Sequence, residues 1–248
     1  MRFPTPSHAR LGRLVAAAAL AFLALPGAAF ACGSSGYTYA GIASLKSGFG
    51  IGSRLTATND PLVQNGHVAG WIGVGGPKKG PHGADEWIQV GFSAFPGSPL
   101  SNLYYEVARP GKEPVYHEVA SAIPTGQSKR VAVLEMASRP NFWRIWVDGN
   151  AATKPIYLPG SHGAWRPMAT AESWGGSGTA CNIFRYQFRQ LSIATAPGGG
   201  WRSLTASYSF HSADYAVLRT TQASFVATAN QSTVKKARYQ AGLTTVTQ

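Results

Sequence analysis

Three short stretches of the sequence place a polar hydrogen-bonding side chain two residues away from an aromatic one. The pairs are Trp87 with Gln89 in DEWIQVGF, Tyr104 with Glu106 in LYYEV, and Glu172 with Trp174 in TAESWGG. Residues two apart in an extended strand share a face. If a sheet gathers these faces, the sequence predicts a groove for a polymer, lined by aromatic rings and carrying amide and carboxylate groups.

The elements that would position these residues are short strands. HVAGWIGVGG, DEWIQVGF, LYYEVARPG, KRVAVLEMA, FWRIWVDGN, IFRYQFRQLSI, SLTASYSF and ASFVATA are rich in β-branched and aromatic residues and are separated by Gly, Pro, Asn or Ser. No amphipathic helix longer than two or three turns is evident. The pattern predicts an all-β fold, an antiparallel two-sheet sandwich or jelly roll, over residues 37–229.

The start of the chain has the pattern of a secretory signal peptide. Three arginines precede the apolar run LVAAAALAFLAL, and Ala29-Phe30-Ala31 supplies small residues before Cys32. We therefore expect a signal peptide at 1–31, a mature domain at 32–229 and a weakly ordered tail at 230–248. The expected location is secreted or periplasmic, without stable membrane insertion.

The two cysteines, Cys32 and Cys181, leave three states open. An oxidising compartment permits one long-range disulfide between them, or both remain free thiols. The third state is a lipid anchor on Cys32. The residues before Cys32 lack the leucine expected for lipidation, which favours a disulfide or free thiols.

The net charge does not by itself identify a partner. Without the three arginines of the signal segment, 19 Lys and Arg face 10 Asp and Glu, a net charge of +9. The basic residues are scattered and no nucleic-acid-binding motif surrounds them, so a solvated basic surface is the favoured interpretation and no nucleic-acid partner is expected.

The usual signatures of other catalytic sites are missing. No serine lies in GxSxG, no HExxH occurs, and the histidines lack the spacing of metal ligands. GVGGPKKG does not match a phosphate-binding loop and is typical of a surface turn. We expect neither a metal nor another cofactor.

WIGVGG, an acidic-rich turn, EWIQVG, YYEV and the distant AESW, in this order, resemble the glutamic peptidases of the eqolisin type. The resemblance covers the chain from about Tyr37 to about Ala229 and implies a sandwich related to the concanavalin A-like lectins. It implies a catalytic dyad of Gln89 and Glu172, with substrate-binding positions at Trp71, Trp87, Tyr104, Glu106 and Trp174. Two departures from the family pattern concern substrate preference: Ser173-Trp174-Gly175-Gly176 follows the glutamate, and Tyr104 replaces a tryptophan.

The resemblance also implies a reaction, the hydrolysis of polypeptide substrates by an endopeptidase without a metal. Glu172 would take a proton from the attacking water and return it to the leaving amine, while Gln89 would orient the water and donate a hydrogen bond to the oxyanion. Glu106 would tune Glu172, and acidic conditions would be favoured. We expect a monomer.

Simpler roles remain open for the same residues. The tryptophans could be core packing, Gln89 a solvent-side strand residue, and the glutamates surface ion-pair partners of Arg109, Arg166 or Arg185. Two alternative functions are carbohydrate binding or cleavage, with Glu106 and Glu172 as the carboxylate pair, and a catalytically inactive binding homologue.

Overall fold

The structure is a computed structural model that describes residues 36–175, 182–213 and 215–229. The predicted signal segment, both cysteines and the predicted tail lie outside the described residues. The described residues all belong to one compact unit, which begins at Ala31.

Sixteen β-strands account for the regular structure of the described residues, with one short 3₁₀ turn at Pro81–Gly83. In chain order the strands are β1 (Tyr37–Ser44), β2 (Gly50–Ala57), β3 (His67–Gly76), β4 (Glu86–Ala94), β5 (Ser101–Ala108), β6 (Val115–Ile123), β7 (Ser128–Glu135), β8 (Phe142–Val147), β9 (Asn150–Ala151), β10 (Ile156–Tyr157), β11 (Met168–Trp174), β12 (Arg185–Ala196), β13 (Gly199–Ser203), β14 (Ser207–His211), β15 (Tyr215–Thr221) and β16 (Ser224–Ala229).

The strands form two antiparallel sheets. One has seven strands in the order β14-β1-β11-β3-β4-β5-β6. The other has nine strands: β10-β8-β7-β2-β12-β16-β15 form its path, β13 pairs with β12, and β9 pairs with β8. The prediction of an all-β, antiparallel two-sheet sandwich is confirmed. Within the described residues, no helix has the length and apolar character needed to span a membrane.

Period-two alternation explains which side of each strand is buried. On β4, Ile88, Val90 and Phe92 are fully buried and point into the sandwich. On the facing sheet, Ile51 and Leu55 of β2 are fully buried in the same core. The residues between Ile88, Val90 and Phe92 must therefore point away from the core, and these include Trp87, Gln89 and Gly91.

Several strands were not among those predicted from the sequence. β1, YTYAGIAS, and β2, GIGSRLTA, contain small residues and glycines, and β6, VYHEVASAI, is mostly exposed at the edge of its sheet. Their pairing partners explain why they form: β1 pairs with β11 and β14, and β2 lies between β7 and β12. Long-range pairing thus compensates for a weak local signal.

Glu86, the first residue of β4, is an exception in the interior. It points to the core side of the sheet and is fully buried, and neither carboxylate oxygen has a hydrogen-bond partner among the described residues. Burial raises the pKa of Glu86 to about 7. The charged form therefore destabilises the fold near neutral pH.

The pH dependence of stability tests this assignment. Between the ordinary pKa of 4.5 and about 7, the folded chain holds a proton that the unfolded chain has lost, so the free energy of unfolding falls as pH rises through this window. Glu86→Gln keeps the shape and removes the ionisation. We expect its stability gain over wild type to grow by up to about 3 kcal/mol between pH 4 and pH 8.

Urea denaturation followed by tryptophan fluorescence at several pH values measures the difference. Glu113→Gln, at an exposed loop position, is the matched control and should show no such growth. A gain for Glu86→Gln that is independent of pH would contradict the assignment.

Candidate active site

The face of the seven-stranded sheet that points away from the core, called here the site face, carries every site residue predicted from the sequence. These residues are Trp71, Trp87, Gln89, Tyr104, Glu106, Glu172 and Trp174. Their shared face follows from the strand register, in which Gly73 pairs with Gln89 and Gln89 with Glu106, while Ala69 pairs with Glu172. The four central strands β11, β3, β4 and β5 supply all of them.

Gln89 is buried on the site face, and the residue opposite it on the neighbouring strand β3 is a glycine. Only 6% of the residue is exposed, so it is not a solvent-side strand residue. Gly73 is directly opposite, and a Cβ there would lie 2.9 Å from the Cβ of Gln89. The Gln89 amide Nε2 donates a hydrogen bond to the hydroxyl of Tyr104 at 3.1 Å. An amide has a second N–H, which remains available to a ligand.

Tyr104 stands between the amide and the carboxylates. Its cross-strand neighbour Gly91 has no side chain, and the ring packs with Ala69 and Trp71 in a small apolar cluster on the site face. Burial, followed by the charges of Glu172 and Glu106, raises the pKa of the Tyr104 phenol well above its ordinary value. The hydroxyl therefore stays protonated, and its oxygen accepts the hydrogen bond from the Gln89 amide.

Glu106 is paired with Trp87 rather than with an arginine. The indole Nε1 of Trp87 donates a hydrogen bond to Glu106 Oε1 at 2.8 Å. Burial raises the pKa of Glu106, the Trp87 hydrogen bond opposes the rise, and the charge of Glu172 adds to it. Glu106 and Glu172 thus influence each other's environment across the site face.

Only 6% of Glu172 is exposed, which is unusual for a carboxylate that points away from the core. Its ion-pair partner among the described residues is His67, with 3.6 Å between His67 Nε2 and Glu172 Oε1. None of the three arginines considered from the sequence pairs with it. Burial, followed by the charge of Glu172, raises the pKa of Tyr39, which lies opposite Glu172 on β1.

Sequence reasoning missed His67 and the rings around it. His67 opens β3, opposite Trp174, and the two rings stack with their centroids 6.1 Å apart. Tyr37 and Phe95 also contact the imidazole ring. The signal that could have found His67 is its parity with Trp71 on the same strand, because residues 67, 69 and 71 share a face.

Gln89 and Glu172 lie on strands that are separated by one strand, β3, and their positions differ by four residues along it. Gln89 on β4 pairs with Gly73 of β3, whereas Glu172 on β11 pairs with Ala69 of β3. In a flat sheet this offset would place the Cα atoms of Gln89 and Glu172 about 10 Å apart across the strands and about 13 Å apart along them. No hydrogen bond joins the two side chains within the described residues. The intervening space on the sheet is covered by Trp71 and Tyr104.

The tryptophans differ in what they present to a ligand. Trp71 is 8% exposed and is mainly packing, while Trp87 is half-buried. Trp174 is 40% exposed and lies with Tyr37 and Phe95 around His67. The exposed rings at this end of the site face offer apolar surface next to Glu172.

The site face is suited to proton transfer and hydrogen bonding. It combines a buried carboxylate, a titratable imidazole, a neutral amide donor and a phenol that stays protonated. No group of three or more His, Cys, Asp or Glu side chains is arranged to hold a metal ion in the part of the chain that the structure describes.

Comparison with solved structures gives similar folds among glutamic peptidases. A crystal structure of Scytalido-glutamic peptidase with a peptide-based transition-state analogue has a TM-score of 0.54 and 13% sequence identity, covering 80% of this chain and 100% of that chain. The structure of SCP-B, a member of the eqolisin family of peptidases, in complex with the tripeptide Ala-Ile-His has a TM-score of 0.51 and 11% identity, with the same coverage. At these identities the similarity shows the fold.

Comparison at the level of sequence does not identify a family for this chain. No protein-family model matches the chain, and no curated protein matches it.

The environment of Glu106 can be tested with two substitutions that act in opposite directions. Trp87→Phe removes the hydrogen bond that lowers the pKa of Glu106, so this pKa should rise. Glu172→Gln removes a negative charge that raises it, so the pKa should fall. A ¹³C NMR titration of the Glu106 carboxyl resonance measures both changes.

Glu113→Gln, at an exposed loop position, serves as the control and should leave the titration of Glu106 unchanged. If the pKa of Glu106 shifted in the same direction in Trp87→Phe and Glu172→Gln, the described contacts of Glu106 on the site face would be contradicted.

Proposed function

We propose that the chain is a glutamic endopeptidase that hydrolyses polypeptide substrates on the site face. The observation that carries the proposal is the placement of Glu172 and Gln89, two buried polar side chains on the outward face of one sheet. Among the described residues each has a single side-chain partner: Glu172 has the His67 imidazole at 3.6 Å, and Gln89 has the Tyr104 phenol at 3.1 Å. Burying polar groups so sparsely paired costs stability, and such sites are where function is concentrated.

In the proposed reaction the scissile peptide and a water molecule lie over Trp71 and Tyr104, and the Glu172 and Gln89 side chains extend toward them from the two sides. Glu172 takes a proton from the water as its oxygen bonds to the carbonyl carbon of the scissile peptide, and the carbonyl electron pair moves to the oxygen. Gln89 donates its free N–H to this oxyanion. When the carbon–nitrogen bond breaks, the proton on Glu172 passes to the leaving amine, and two peptide fragments result.

The other residues of the site face have positioning roles in this scheme. Tyr104 holds the Gln89 amide through its hydroxyl, so that the amide does not rotate when the oxyanion forms. His67 lies against Glu172 and fixes the carboxylate on the side of Trp174. The exposed rings of Tyr37 and Trp174 would hold apolar side chains of the substrate next to the base.

The scheme favours acidic conditions because two carboxylates share the site face. Burial and the charge of Glu172 raise the pKa of Glu106, so Glu106 stays neutral further up the pH scale than an ordinary glutamate. As pH rises and Glu106 ionises, the site face gains a negative charge and an incoming oxyanion is less well stabilised.

The fold comparison supports the proposal at the level of architecture. The two similar structures are described in complex with a peptide-based transition-state analogue and with a tripeptide, so proteins of this architecture bind peptides. We extend peptide hydrolysis to this chain on the basis of Gln89 and Glu172, together with export through the predicted signal segment.

A carbohydrate-cleaving enzyme is the second candidate. The observation that favours it is the pair of carboxylates on the site face, Glu106 and Glu172, flanked by Trp87 and the exposed ring of Trp174. In that reaction Glu106 would be as indispensable as Glu172, and Gln89 would not be. The two candidates therefore differ in which variant loses activity, and an inactive binding homologue would lack both activities.

Substitution of the dyad tests the peptidase directly. Glu172→Gln keeps the side-chain shape and removes the base, so turnover of a denatured protein substrate should be abolished. Gln89→Ala removes the oxyanion donor and should lower turnover about a hundredfold or more. Glu113→Gln is the control and should cleave like wild type.

The assay runs from pH 2 to pH 8 with a quenched fluorescent peptide library and, in parallel, with β-glucan oligosaccharides. Cleavage of the peptides by Glu172→Gln at the wild-type rate would refute the dyad. Cleavage of the oligosaccharides alone, abolished by Glu106→Gln, would support the second candidate instead.

A further inference from the structure

The nine-stranded sheet carries a groove of its own, on the opposite side of the molecule's two-sheet core from the site face. Its volume is about 580 Å³. We call it the arginine groove, and its principal lining residues are Arg54, Arg130, Trp146, Gln190, Ser192 and Trp201. These come from β2, β7, β8, β12 and β13, so regular strands form most of it.

Three arginines form one cross-strand row, and two of them, Arg54 and Arg130, line the groove. Arg54 on β2 lies directly opposite Arg130 of β7 on one side and directly opposite Arg189 of β12 on the other. Like charges directly opposite each other in a sheet destabilise it. None of the three guanidinium groups has a carboxylate within ion-pairing distance among the described residues. Asp148 pairs with Lys129 at 3.0 Å and also accepts a hydrogen bond from the backbone N–H of Arg130 at 2.9 Å, so one carboxylate lies near the Arg130 end of the row.

The floor beside the arginine row is made of small residues. Two positions along β2 from Arg54, Gly52 pairs with Ser192 and with Ala132, and these small residues rise little above the sheet. The row continues through Trp146 of β8, opposite Ala132, to Ala151 of β9. Trp201 approaches from β13, with its ring 3.5 Å from where a Cβ on Gly52 would lie. The result is a trough with indole walls and guanidinium groups along one side.

Neutral hydrogen-bonding groups complete the lining. Gln190 lies at a bulge of β12 with a positive φ of 54°, a conformation uncommon outside glycine and asparagine. Ser192 and Gln190 have side chains free of hydrogen-bond partners within the described part of the chain. The indole Nε1 of Trp146 is a buried donor without an acceptor there.

We propose that the arginine groove binds an anionic oligosaccharide whose carboxylate groups lie against Arg54 and Arg130. Guanidinium groups bind carboxylates through paired hydrogen bonds, indole rings pack on sugar faces, and hydroxyl and amide groups match sugar hydroxyls. The binding site is separate from the site face, so a chain held on a uronate-rich polymer keeps its site face free.

The lining favours a saccharide over the other anionic polymers. A single-stranded nucleic acid calls for cations that follow its backbone along a strip, whereas these three arginines occupy one row beside a neutral floor. An acidic peptide offers carboxylates but few hydroxyl groups for Ser192, Gln190 and Trp146. A second copy of this chain is a poor occupant, because the chain carries 22 Lys and Arg against 10 Asp and Glu.

Calorimetric titration of the purified chain with a hexamer of galacturonic acid tests the proposal. We expect binding that weakens as salt is added, and a roughly tenfold or greater loss of affinity in Arg54→Gln. Trp201→Ala should lose a similar amount, whereas Arg54→Lys should lose less because it keeps the charge. Arg166→Gln, an exposed arginine outside the groove, is the matched control and should bind like wild type.

Competing probes make the outcome specific. A neutral gluco-oligosaccharide hexamer, dextran sulfate, oligothymidylate and polyglutamate are titrated under the same conditions, and circular dichroism confirms that each variant is folded. Weaker binding of all four than of the galacturonate hexamer supports the proposal. It is overturned by no binding of the hexamer, by equal or tighter binding of any of the four, or by an equal loss in Arg166→Gln.

Discussion

The fixed alternation of side chains along a paired strand is the constraint on which the rest of this structure depends. Because Ile88, Val90 and Phe92 are buried between the sheets, the side chain of Gln89 must point to the opposite side of its strand, away from the core. The same rule sets the direction of Glu172, whose neighbours Ala169 and Ala171 on β11 are buried in the core. A slip of one residue in either strand would turn the polar groups into the core and the apolar ones out.

Once the direction of the side chains is fixed, glycine and tyrosine determine how the polar groups are used. Gly73 and Gly91 clear the sheet surface beside Gln89, and a Cβ at Gly91 would lie only 2.6 Å from the Cα of Trp71. Tyr104 fills the cleared space and holds the amide. The site face therefore keeps a buried amide and a buried carboxylate with few internal partners, which is the state in which both can respond to a substrate. The nine-stranded sheet follows the same rule on its own outward side, where small residues leave a trough between indole rings.

Much of this could be predicted from the sequence, and the limits have a physical cause. HVAGWIGVGG is strand β3 from its first residue to its last, because its alternation and composition are local signals. The common face of Gln89, Tyr104 and Glu172 also follows from local parity, given that the strands belong to one sheet. The His67–Glu172 contact and the Arg54–Arg130 pairing could not be predicted, because register between strands far apart in sequence is set by long-range packing. The strands β1 and β2 were missed for the same reason.

We propose that Glu172 and Gln89 act together on one water molecule. A high-resolution crystal structure of the chain at acidic pH is the decisive measurement. We expect one ordered water within about 3 Å of both a Glu172 carboxylate oxygen and the Gln89 amide. Separate solvent shells for the two side chains, with no water bridging them and no room for a peptide between them, would contradict it.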